Sequence, residues 1–134
     1  MTDVIMAPIS IGELFDKIGI LEIKAKLFHD VEKLKNVQRE LSALYEIAKP
    51  FKGRTIEDGR TIEDVKLALW NVNLDLWVIE DIIRRCEARG DFGPKFIDLA
   101  RSVYKTNDRR AALKREINLA CGSAIIEEKH YERS

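Results

Sequence analysis

Four polar side chains fall on one line of a stretch whose spacing predicts a single helix. Lys66, Asn73, Glu80 and Glu87 recur every seven residues, so they share a face that drifts by only about 20° per repeat. On one side runs an apolar row of Ile62, Val65, Leu69, Val72, Leu76, Ile79, Ile83 and Cys86; on the other lie Leu67, Trp70, Leu74 and Trp77. A polar group between two buried rows must be paired or must line a cavity, because leaving it unpaired costs ~1–3 kcal/mol. Two chemistries suit that position. Glu80 can sit at the centre of a binding or acid–base site, or Asn73 and Glu80 can be satisfied contacts that fix helix register, as buried polar residues do in coiled coils.

A second constellation runs from Arg101 to Asn118. Residues 93–134 hold nine basic against six acidic side chains, and Arg101, Lys105, Arg109, Arg110, Lys114 and Arg115 carry most of that excess. Thr106-Asn107-Asp108 has the composition of a helix start, whose free backbone N–H groups favour anions. With Arg101 before such a junction and Arg110 and Lys114 after it, the expected chemistry is a phosphate or carboxylate site, bordered by Tyr104 and Asn107. The plainer reading is a solvated, ion-paired helix face.

Helix-forming residues near the start carry a third set. Glu22 and Lys24 interrupt the apolar run Ile18–Leu27, with Glu22 close to Gly19. Gly12 and Gly19 lie seven apart on one face, and each costs up to ~1 kcal/mol against Ala inside a helix. That spacing points to close approach by another helix. Asp16 and Lys17 read as solvated.

Other chemistries lack their patterns. Two histidines, His29 and His130, stand near segment ends, and Cys86 and Cys121 are 35 residues apart, with no metal-ligand spacing between them. Glu13 and Asp16 form the only Glu-x-x-Asp pair a carboxylate-bridged metal site would want. No phosphate-binding glycine loop or nucleophile elbow occurs. Cys86 sits in the apolar row and reads as core. Neither a metal nor a cofactor is expected.

The elements that must position these residues are all helical. Ser10 with Glu13 is a capping pattern ahead of Ile11, Leu14, Ile18, Leu21, Ala25 and Phe28, which predicts a helix over 11–28. Asp30 can cap a second helix ending at Pro50, so that 11–48 forms an antiparallel hairpin. Residues 50–60 are a loop holding a tandem hexapeptide, Gly53 to Asp58 and Gly59 to Asp64. The long helix spans 61–89, about 42 Å at 1.5 Å per residue, and is central because it has two apolar faces. Helices over 94–105 and 108–121 follow, then a tail over 123–134 whose conformation the pattern leaves open. The fold class is therefore all-α, a bundle of about five helices with one long central helix, in one domain.

Composition sets the outer limits. The 134 residues hold 23 basic and 23 acidic side chains, for zero net charge, which disfavours a generic nucleic-acid partner. Two cysteines fit a reducing compartment, and no apolar run reaches the ~20 residues of a membrane span.

Met6-Ala7-Pro8-Ile9-Ser10, Gly12-Glu13-Leu14 with Asp16-Lys17, Ile20 to Lys24, Leu76-Trp77 with Ile79-Glu80-Asp81, Ile83-Arg84 and the tract from Phe96 to Asn118 resemble a family of short bacterial proteins of unknown function. The likeness spans nearly the whole chain; the hexapeptide duplication is outside the usual pattern. It implies a bacterial, cytoplasmic, all-helical protein and carries over no catalytic residue.

Two functions stay open on these grounds. One is an oligomerising or partner-binding module, most simply a homodimer. The other is an enzyme or binding protein for a phosphorylated small molecule such as a sugar nucleotide. That reading uses Glu22 and Glu80 as carboxylates, Arg84, Arg101, Arg110 and Lys114 as anion donors, and Lys24, Asn73, Tyr104 and Asn107 as neighbours.

Overall fold

The structure is a computed structural model and describes residues 3–129. It contains four α-helices: α1 (Ile11–Leu27), α2 (Val31–Ala48), α3 (Ile62–Arg89) and α4 (Pro94–Cys121), with a 3-10 turn at Lys49–Phe51 after α2. No strand is formed among the described residues; a single antiparallel bridge joins Thr55 and Thr61.

Local signals set the boundaries. Ser10 caps α1 by accepting from the Glu13 N–H at 3.0 Å. Asp30 caps α2 by accepting from the Lys33 N–H at 2.9 Å. Thr61 and Asp64 form a reciprocal capping box at the start of α3. That helix is one unbroken rod of 28 residues, closed by Gly90 in the left-handed conformation at φ 68°, which a residue without Cβ adopts freely.

The expected division between two helices at 105–108 is not made, so the bundle has four helices and not five. The reason lies in the inward row of α4. Phe96, Leu99, Val103, Thr106, Arg110, Leu113, Ile117 and Cys121 follow one another at spacings of three or four. Thr106 and Arg110 are polar members of a continuous seam, and no Gly or Pro interrupts it. Thr106 is buried against the rest of the fold. Packing therefore overrides the cap-like composition of Thr106-Asn107-Asp108.

α3 and α4 form a long antiparallel hairpin joined by a tight turn. α1 lies across both, its first turns against α4 and its later turns against α3, and α2 packs mainly on α1. The core sits where these meet: Leu14, Phe15, Ile18 and Leu21 of α1, Val37 and Leu41 of α2, Ile62, Val65 and Leu69 of α3, and Ile117 and Cys121 of α4.

The duplicated hexapeptide is used differently in its two copies. Thr55 of the first pairs with Thr61 of the second. Ile56 is partly buried against the core, whereas Ile62 is wholly buried as the first residue of α3. The two arginines tie the loop to α4: Arg54 donates to the Cys121 carbonyl at 3.1 Å, and Arg60 pairs with Glu116 at 3.0 Å.

Candidate functional site

Where α1 crosses α4, the two helices form a polar ladder. Gly12, Glu13 and Asp16 lie within about one turn of α1; Arg110, Lys114 and Asn118 are spaced at four residues on α4. Helical geometry stacks such positions on one face. Asp16 is wholly buried and takes a two-pronged hydrogen bond from Arg110, through Nε to Oδ1 at 2.9 Å and through Nη2 to Oδ2. Asn73 of α3 donates to the same Oδ1 at 2.8 Å. Lys114 Nζ lies 2.6 Å from Glu13 Oε2 and 2.9 Å from Glu127 Oε1 of the tail. The Gly12 N–H donates to Asn118 Oδ1 at 2.6 Å, and the Ile11 N–H to Ser123 Oγ at 3.1 Å.

Gly12 allows this ladder to close. A Cβ there would overlap the Lys114 carbonyl oxygen and lie 2.9 Å from Asn118 Oδ1. Gly19 is different: a Cβ would meet Trp70 at 3.7 Å, an ordinary contact. Close helix approach is thus required at the first glycine only.

Charges in the ladder are matched inside the fold. The Asp16 hydrogen bonds hold the Arg110 guanidinium above its ordinary pKa against the opposing effect of burial. For Lys114, burial acts to lower the pKa, but the bonds to Glu13 and Glu127 and the neighbouring carboxylates more than offset it, and the net shift is upward. No buried side-chain N or O is without a partner among the described residues. A satisfied network of this kind orients three helices.

Beside the ladder lies an open groove of about 980 Å³ between α4 and the tail. Val103, Tyr104, Ala111 and Ala112 form much of its floor, with Lys114 and Asn118 toward one end and Glu127 to Lys129 along the rim. A smaller pocket of about 340 Å³ lies between α1 and α3, lined by Glu22, Lys26, Lys66 and Trp70 among others. There Tyr45 Oη donates to Glu22 Oε2 at 2.5 Å, and Lys66 Nζ stands 4.0 Å from the same oxygen. Burial, followed by the Glu22 hydrogen bond, pushes the Tyr45 phenol above its ordinary range.

The residues singled out from sequence are dispersed. Asn73, Arg110 and Lys114 meet in the ladder; Tyr104, Asn107 and Lys114 border the groove; Glu22 belongs to the smaller pocket. Lys24 is half-buried on α1. Glu80 does not lie in a cavity. It is exposed and pairs with Arg84 one turn on, at 3.4 Å, and Arg84 is itself largely solvated. Glu80 is about 21 Å along α3 from Lys66, the neighbour of Glu22. Arg101 is exposed and nine residues before Arg110, about 180° around an unbroken helix. The junction that was to bring the two together does not exist.

Asp16, Glu13 and Asn118 are the residues that sequence reasoning missed. A signal for Asp16 was present. Gly12, Asp16, Gly19 and Ile23 are spaced 4, 3 and 4, so Asp16 shares the face on which two glycines anticipate a close neighbour. It could not be solvated there. Lys17, one residue on, is exposed as expected. Among the described residues no group of His, Cys, Asp or Glu could hold a metal ion; His130 lies outside them.

The fold and ladder define a small helical bundle, a long hairpin clasped near one end by a third helix through buried ion pairs. The chain belongs to a family of unknown function, DUF6165, whose model matches residues 5–134. No curated protein and no solved structure matches it. No helix among the described residues is long and apolar enough to cross a membrane.

Proposed function

We propose that the protein is a self-associating helical module, with the distal part of the α3–α4 hairpin packing against a second copy. One observation carries this reading. Beyond Asn73 on α3, Cys86 is the only fully buried apolar residue of that helix. Val78, Phe92, Ile97 and Tyr104 are each about half exposed, and Ile79, Ile82, Ile83, Phe96 and Leu99 are only partly covered. Two helices bury one face of each against the other. Covering the remaining apolar surface takes a further layer, and a second hairpin across a two-fold axis supplies it most simply. Light scattering on the purified chain tests the proposal: a dimer is expected, and Val78→Glu with Ile97→Glu should yield a monomer of unchanged helicity. A wild-type monomer overturns it.

A second reading is favoured by the pocket at Glu22. Lys26 Nζ stands 5.3 Å from the Trp70 ring centroid, and Lys66, which lines the same pocket, stands 5.8 Å from the Tyr45 ring. An indole face beside two ammonium groups and a carboxylate suits a small phosphorylated molecule that stacks its body and places its phosphate between the lysines. A ligand at a hundred times its dissociation constant would stabilise the fold by ~2.7 kcal/mol. Thermal shifts with phosphorylated sugars and nucleotides, present in the wild type and lost in Trp70→Leu, would support it; none would count against it.

A further inference from the structure

The chain ahead of α1 carries an apolar arm that none of the described residues covers. Val4, Ile5 and Met6 are 79%, 89% and 83% exposed, and Ile9 is 41% exposed. Ala7 and Pro8 complete a six-residue run without a charge. Large side chains exposed in succession mark a contact surface, because scattered exposure is ordinary and contiguous exposure is not. Pro8 holds the run out of helical geometry and lacks an N–H that would need a partner in a dry groove.

The groove beside α4 matches that arm in length and position, and most of its exposed surface is apolar, although Asp108, Arg115 and Glu127 to Lys129 also line it. Six extended residues reach about 20 Å at ~3.3 Å per residue. From Val103 to Asn118 the floor runs about 22 Å at 1.5 Å per residue. Ala111 and Ala112 line it with small side chains, which leave room for branched ones. The arm also begins where the groove ends: Ile11 and Gly12, just after its root, are hydrogen-bonded to Ser123 and Asn118.

We infer that the arm of one copy, Val4 to Ile9, seats in the α4 groove of a second copy, and that the exchange is reciprocal. With root and groove end adjoining, a two-fold axis between them lets each arm reach its partner's floor, an isologous contact. Six arm residues and twelve groove-lining residues on each copy approach the ~20 a side of a stable interface. The inference rests on the self-association reading and names a second contact, which shares Tyr104 with the distal hairpin face.

The test uses full-length chains. One preparation carries Ile5→Cys and another Ala111→Cys; Cys86 and Cys121 are buried, so mild oxidation acts on the introduced thiols. Mixing the two should give a covalent dimer, which Glu32→Cys in place of Ala111→Cys should not. Separately, Ile5→Asp with Met6→Asp should weaken the dimer at least tenfold with an unchanged circular dichroism spectrum. If the wild type is dimeric and either result is missing, the arm inference falls while self-association stands. If both substitutions in one chain give a bridged monomer, the groove takes its own arm and the inference falls. A monomeric wild type removes both.

Discussion

The two ends of the α3–α4 hairpin are built from one sequence pattern and come out differently. Near the loop, Ile62, Val65, Leu69 and Val72 are completely shielded; farther out, Leu76, Ile79 and Ile83 continue the same row at the same spacing and are only partly covered. α4 packs along both ends. What differs is α1, which crosses only the first. A heptad row shows which face of a helix is turned inward, but the depth of burial depends on how many other elements arrive there. Polar groups follow the same division. Asn73 and Glu80, one heptad apart, look alike on a helical wheel, yet one is buried against Asp16 and the other is solvated beside Arg84.

That contrast is broken most sharply at Asp16. Asp16→Ala leaves Arg110 with no carboxylate partner and Asn73 with no acceptor in a dry site. Breaking a buried pair from one side costs ~3–5 kcal/mol, so the urea midpoint should fall far, perturbing any assembly through the fold. Glu80→Ala removes an exposed pair one turn apart, for which ~0.3–0.5 kcal/mol is the ordinary range. Equal losses in the two variants would show that the ends of the hairpin are not energetically distinct.

Apolar truncations give the next largest separation. Leu69→Ala opens space in the core and should cost ~2–5 kcal/mol. Val78→Ala removes methyl groups from a half-exposed position and should leave monomer stability within ~0.5 kcal/mol, while weakening self-association measured by light scattering.

The glycines sharpen the comparison within α1. At Gly12 an added methyl meets the Lys114 carbonyl, and overpacking of this kind costs ~1–3 kcal/mol. At Gly19 the methyl meets Trp70 at an ordinary distance, and the gain in helix propensity, up to ~1 kcal/mol, should dominate. Thermal denaturation should therefore move down for Gly12→Ala and level or up for Gly19→Ala.

Much of the fold was legible because it is written locally. Ser10, Asp30 and Thr61 announce helix starts through their own hydrogen bonds, and the row from Ile62 to Cys86 gives α3 end to end. The division placed at Thr106 was an error of the same local reasoning: a cap-forming composition says nothing of a neighbour that buries Thr106 in mid-helix. Site residues were less legible, since pairing is a property of two elements at once. Arg110 and Lys114 advertised charge without revealing Asp16 and Glu13 across the interface. Trp70 and Trp77, in a row expected to be buried, are only partly covered, and Leu67, grouped with them, is exposed. α1 covers the flank where the indoles lie and stops short of the next residue round.

The smallest effect concerns the tail, whose described residues dock on the clasped end. Hydrogen bonds from Lys129, and then from Lys114, hold the Glu127 carboxyl below its ordinary value of 4.5, at about 2. Because the folded value lies under the unfolded one, between these limits the unfolded chain binds a proton that the folded chain does not, and stability falls as pH drops through that window. The contribution is complete above the ordinary glutamate range and is lost below about 2. Glu127 is nearly half exposed, so screening keeps the contribution to the ~0–1 kcal/mol of surface pairs. Glu127→Gln should lower stability slightly at neutral pH and flatten the acid limb of the urea midpoint. Lys114→Met should do more, since it also strands Glu13 beside the buried ladder. Were Glu127→Gln to leave the acid limb unchanged, Glu127 would contribute nothing to the clasp, and the tail would be tied to α1 through the Ser123 hydroxyl.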